Sequence, residues 1–143
     1  MPVAHFHLPS GVVTAAQENR LLREACTAYS RVLDSPIERV RAFIVHYDST
    51  HVAVAGEIVA DGAAIAPYFT AIVLAGRPAA QRQELLGAFT GLLVEILGVD
   101  RALVRGQIIE VAPENWGIGG VAASGVRADE IAGRMLTAQV RES

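Results

Sequence analysis

The sequence predicts an α/β fold: a tandem β-α-β repeat with a four-stranded sheet and two helices on one face. Three observations predict the repeat. The order strand, helix, strand occurs twice along the 143 residues. Matching landmarks recur at an offset of about 64 to 65 residues: Gly11 and Gly76 end the first strand of each half, and Val40-Arg41 and Val104-Arg105 open the last. The short stretch "HVAVAGE", 51–57, corresponds to "WGIGGVA", which begins at Trp116. Residues 1–143 therefore read as one domain of two units, about 2–60 and 67–127, followed by a C-terminal tail.

In the first unit, "PVAHFHL" alternates, with Pro2, Ala4, Phe6 and Leu8 on one face and Val3, His5 and His7 on the other, which makes a strand. Thr14 followed by Gln17 fits a capping box that opens a helix. Leu22, Cys26, Tyr29 and Leu33 follow at helical spacing. "DSP" at 34–36 stops the helix, and "VRAFIVHY", 40–47, is a β-branched and aromatic strand.

The second unit repeats the order. "YFTAIVLAG", 68–76, reads as a buried strand. Pro78 suits a first helical position, and Leu86, Phe89, Leu93 and Leu97 carry the helical stripe. Gly98 sits where a left-handed cap is wanted. "VRGQIIEV", 104–111, is the closing strand, and the tail from about Arg127 is a short helix with Ile131, Met135 and Val140. Parallel strands within each unit require the helix to cross over the sheet. Both helices then cover one face. The other face is left apolar or half-buried, which calls for association with further copies.

Composition excludes several classes. A formal charge of −3 supplies no basic field for nucleic acid. No apolar run reaches the roughly 18–20 residues that span a bilayer, and the first residues lack a signal-peptide pattern. Cys26, the single cysteine, reads as a reduced core residue, so a cytoplasmic protein is expected.

"GIGGVA", 117–122, matches the spelling of a dinucleotide fingerprint. Only 23 residues follow Gly120, too few for the helix, strand and ribose-binding acid that the fingerprint needs. A turn is the better reading. His5, His7, His46 and His51 have no third partner at metal-ligand spacing, so no metal site is expected. Ser10 and Ser124 lack a nucleophile context. Pro2 is different. Exposed by removal of Met1, a proline nitrogen is a secondary amine. An apolar pocket with nearby arginines favours its neutral, basic form.

Taken together, "PVAHFHLPSG…LDSPIERVRAFIV" and "VRGQIIEVAPENWGIGGVAASGVR" resemble 4-oxalocrotonate tautomerase, twice over and fused, across residues 2–127. The longer two-unit members of that superfamily include cis-3-chloroacrylic acid dehalogenase and malonate semialdehyde decarboxylase. The resemblance implies a trimeric, cofactor-independent keto–enol tautomerase acting on a small 2-keto or 2-hydroxy-dienoate carboxylate, with no nucleic-acid or membrane partner. It places the catalytic proline on Pro2. Its counterpart Pro67 is internal, and an amide nitrogen is no base. The turn arginine is missing from "SGV", 10–12, and present as Arg77; the strand arginine is kept as Arg41 and Arg105. Trp116, beside Asn115, takes the place of the aromatic before the glycines, where the first unit has Val52. One composite site per chain is expected, with Pro2 as base and Arg77, Arg105, Arg41, Trp116 and Asn115 binding substrate.

The chain departs from the pattern too. Leu74 and Ala75 precede Gly76-Arg77, which leaves one turn arginine, and Gln107 and Ile118 stand near places for further polar groups. Glu38 lies in the loop where the decarboxylase has its acid. Tautomerisation needs the fewest groups. Hydration, dehalogenation and decarboxylation are the alternatives, as is a non-catalytic trimeric binding protein if Met1 is retained and acylates Pro2.

Overall fold

The computed structural model describes residues 2–142, with side chains through 137. Residue 1 falls outside the described residues, and with it the question of whether Met1 is retained. The side chain of Val140 falls outside as well.

Strand β1 (Val3–Pro9) leads to helix α1 (Ala15–Leu33), then to β2 (Arg41–Tyr47) and a small hairpin of β3 (Ala53–Val54) and β4 (Glu57–Ile58). The second unit follows with β5 (Tyr68–Leu74), α2 (Ala79–Leu97), β6 (Arg105–Val111), and the hairpin of β7 (Gly117–Ile118) and β8 (Val121–Ala122). Two helices close the chain: α3 (Ala123–Val126) and α4 (Ala128–Glu142). The main sheet runs β2-β1-β5-β6. Each unit contributes a parallel pair, and the two units join antiparallel through β1 and β5.

The repeat extends to single hydrogen bonds. Arg41 N–H donates to the Pro2 carbonyl and Arg105 N–H to the Pro67 carbonyl, each at 3.0 Å. Val59 N–H donates to Val52 O at 2.9 Å, and Ala123 N–H to Trp116 O at 2.8 Å. Val52 and Trp116 are thus equivalent positions, and both helices are 19 residues long.

Alternation in β1 and β5 sends Ala4, Phe6, Leu8, Phe69, Ala71 and Val73 onto the helices, all shielded from solvent. Phe89 of α2 meets Phe6, Tyr29 and Phe69 edge-on, with ring centroids 5.0–5.6 Å apart. Tyr29 Oη donates to the Ile72 carbonyl at 2.7 Å, with the Val3 carbonyl at 3.2 Å, which ties α1 to the junction of the two units. In β6 the matching position is Gly106, because the Phe69 ring occupies the space a Cβ would need.

The Thr14–Gln17 capping box is present. Asp34 ends α1 in the left-handed region with φ 48°, and Gly98 ends α2 there with φ 68°. Pro78 is the N-cap, one residue before the first helical position expected for it. The core stripe of α1 is also displaced. Leu21, Ala25, Ala28, Tyr29, Val32 and Leu33 are buried, while Cys26 only flanks the core and Leu22 is half-buried. In α2 the buried set is Leu85, Phe89, Leu93 and Ile96, with Leu86 and Leu97 at its margin. The cause is the second helix beside each stripe. A helix packed on a sheet and a neighbour buries a wider arc than spacing alone defines.

The face of the sheet away from the helices is rich in apolar and aromatic groups. Phe43 is 49% exposed and Tyr47 39%. His5 stacks on Phe43 and His7 on Tyr68, while His7 Nδ1 lies 2.7 Å from Tyr47 Oη. Among the described residues, no helix is long and apolar enough to cross a membrane.

Candidate active site

Pro2 lies at the entrance to β1 and is fully buried. The turn after the neighbouring antiparallel strand β5 brings Arg77 into the same recess. Gly76, at φ 113°, supplies a left-handed turn conformation that L side chains rarely adopt, and so sets the direction of Arg77. Arg77 Nη1 donates to the Leu33 carbonyl at 2.6 Å and to Gln81 Oε1 at 3.3 Å. Gln81 Nε2 donates to the Val32 carbonyl at 2.9 Å. Both side chains therefore satisfy carbonyls at the C-terminus of α1, where the helix dipole is negative. Burial lowers the Arg77 pKa to about 10, and the charge of Arg134 adds to the effect. The guanidinium stays charged at neutral pH.

The remaining expected groups divide. Trp116 and Arg41 line a second recess, joined to the first through Arg39, Ile118 and Arg127, which line both. Arg41 Nη1 is committed to the Glu38 and Val40 carbonyls at 3.0 and 3.3 Å. Arg105 is exposed at the start of edge strand β6, bonded to the Ala102 and Val104 carbonyls, and it lines neither recess. Asn115 is exposed on a 3₁₀ turn and lines neither recess. His5 and His7 are on the opposite, aromatic face of the sheet.

Sequence reasoning missed four groups of the first recess: Arg39, Arg127, Glu130 and Arg134. Glu130 on α4 takes both nitrogens of Arg39, at 2.9 and 3.0 Å, in a bidentate pair, and lies 3.7 Å from Arg134 one turn on. The Arg39 hydrogen bonds hold the Glu130 carboxyl below its ordinary range. The signal was the i, i+4 spacing of Glu130 and Arg134, but nothing local said where that helix docks.

A β-α-β repeat with a proline nitrogen and an arginine at one end of its sheet defines a class, and the comparisons agree. A family model described as Tautomerase enzyme matches residues 67–124. A 2-hydroxymuconate tautomerase of Pseudomonas fluorescens is 40% identical over 57 residues, 40% of this chain and 89% of the relative. One from Comamonas testosteroni is also 40% identical over 57 residues, 90% of its length. The crystal structure of a native fused 4-OT superposes with a TM-score of 0.81 at 28% identity, covering 87% of this chain and 98% of that one. A fused 4-OT described as a wild-type symmetric trimer gives 0.78 at 25% identity. The chain belongs to the tautomerase family. Within it, this is a fused protein of the 4-OT type, two β-α-β units in one chain.

Proposed function

We propose that the protein is a cofactor-independent keto–enol tautomerase acting on a small 2-keto or 2-hydroxy-dienoate carboxylate. The observation that carries this reading is the buried recess shared by Pro2 and Arg77. With Met1 removed, the Pro2 nitrogen takes the proton of the substrate's enol hydroxyl. The electron pair left behind forms the carbonyl, and the conjugated carbon takes the proton back from the Pro2 ammonium. Arg77 holds the carboxylate or carbonyl oxygen and stabilises the enolate as charge develops. Arg41 and Trp116 bound the adjoining recess, with Trp116 excluding water.

The working unit is a homotrimer. The apolar outer face of the sheet supports this, and the fused 4-OT relative described as a symmetric trimer lends it further support. Arg105 and Asn115, outside both recesses of their own chain, act from a neighbouring protomer. A cytoplasmic location fits the unpaired Cys26.

A substrate panel tests the reaction class. The expected result is ketonisation of 2-hydroxymuconate without chloride release from a 3-haloacrylate or CO2 release from malonate semialdehyde. Either release, in the absence of ketonisation, contradicts the proposal. Inactivity on all three by protein lacking Met1 points instead to a binding protein.

A further inference from the structure

The family match ends at residue 124, before α4 begins at Ala128. Yet α4 supplies Glu130 and Arg134 to the recess that holds Pro2 and Arg77. That inner recess leaves only about 20 Å³, little more than one water needs. A wider recess of about 580 Å³ opens beside it and is lined by the same Arg39, Arg77, Glu130 and Arg134. The anion-sized space therefore lies against α4, next to the small recess of Pro2 and sharing its arginines.

The charges follow the same geometry. Among the described residues, four arginines, Arg39, Arg77, Arg127 and Arg134, line the inner recess with one carboxylate, Glu130, and Asp34 adds a second carboxylate at the wider recess. Glu130 sits on Arg39 as a substrate carboxylate would, with two parallel N–H···O bonds. Arg134 is 3.7 Å from the same carboxylate and its side chain is only 26% exposed, so among the described residues two arginines share the one carboxylate of Glu130.

We propose that Arg134 of α4 is a specificity-determining residue that binds the distal carboxylate of a dianionic substrate, and that Glu130 holds this position until the substrate displaces it. The inference rests on the proposed site at Pro2 and Arg77 and adds to it an element outside the family match. One carboxylate is held by Arg77 near Pro2. The other takes the place of Glu130 between Arg39 and Arg134. A monocarboxylate gains the first contact only and leaves the Glu130–Arg39 pair intact.

Direct binding tests this without turnover, so its outcome is separate from that of the tautomerase reading. The full chain is titrated calorimetrically with hexanedioate and with butanoate. The unaltered protein is expected to bind hexanedioate the more tightly. Arg134→Ala is expected to weaken hexanedioate at least about five-fold, the loss of one charge-assisted hydrogen bond, and to change butanoate less than two-fold. Glu130→Gln removes the competing carboxylate, and hexanedioate is expected to bind it several-fold more tightly. Equal losses for the two ligands in Arg134→Ala, no loss for either, weaker hexanedioate binding by Glu130→Gln, or no hexanedioate binding by the unaltered chain each overturns the proposal.

Discussion

Gly106 shows how one residue couples the two layers. Its missing Cβ is the space into which the Phe69 ring packs, and Phe69 in turn meets Phe89. Gly106→Ala forces that buried ring aside. The expected cost is about 1–3 kcal/mol, read as a fall of roughly 3–10 °C in the thermal midpoint; an unchanged midpoint contradicts the packing account. The sequence placed a glycine in a strand here but offered no reason for it, because the reason is a ring on the neighbouring strand. Pro2 was proposed from its own chemistry as a chain-start secondary amine, and Arg77 only through the resemblance to the family's turn; that the two share one recess is a tertiary fact. Arg39, Arg127, Glu130 and Arg134 meet only through tertiary docking, and no spacing along the chain announces that meeting.

Among the elements, the helices were read well at their ends and less well along their faces. The Thr14 capping box satisfies backbone donors that would otherwise lack partners, a rule that depends on four adjacent residues. Thr14→Ala is expected to cost about 1 kcal/mol, a loss of roughly 3–4 °C in midpoint, with no change in substrate KM. The core stripe depends instead on what lies beside the helix, so Leu21 and Ala25 replaced Leu22 and Cys26. The terminal helix was expected from Arg127 onward, and its docking was not. Glu130 has a lowered pKa in the folded protein, so the contribution of its pairing is present above the ordinary value of 4.5 and lost as pH falls through the folded value. Acid is therefore expected to release α4 before the core unfolds. Amide exchange should then rise in 128–137 while β1 and β5 remain protected, and simultaneous exchange of both contradicts this order.

At the scale of the molecule, the repeat was legible because both units keep the same strand, helix and hairpin lengths. The sheet order β2-β1-β5-β6 was not, since pairing of β1 with β5 across the units depends on contacts distant in sequence. The outer face of that sheet carries the proposed trimer contacts. Phe43→Glu places a charge on it and is expected to give monomers by light scattering; a persistent trimer removes this face from the interface. His7 stands on the same face. Burial lowers its pKa, and the neighbouring His5 charge adds to the effect. Protonation is thus resisted in the folded state. The contribution to folding stability is complete above 6.5 and declines as pH drops toward the folded value, so the thermal midpoint is expected to fall on mild acidification and to fall less in a His7→Gln variant; equal pH dependence in the two contradicts this.

The central claim is that the Pro2 nitrogen transfers the proton. Its direct test compares kcat/KM for 2-hydroxymuconate ketonisation between protein shown by intact mass to begin at Pro2 and its Pro2→Ala variant. The account predicts a fall of about 10²–10⁴-fold, carried mainly by kcat. Equal rates in the two proteins would contradict it.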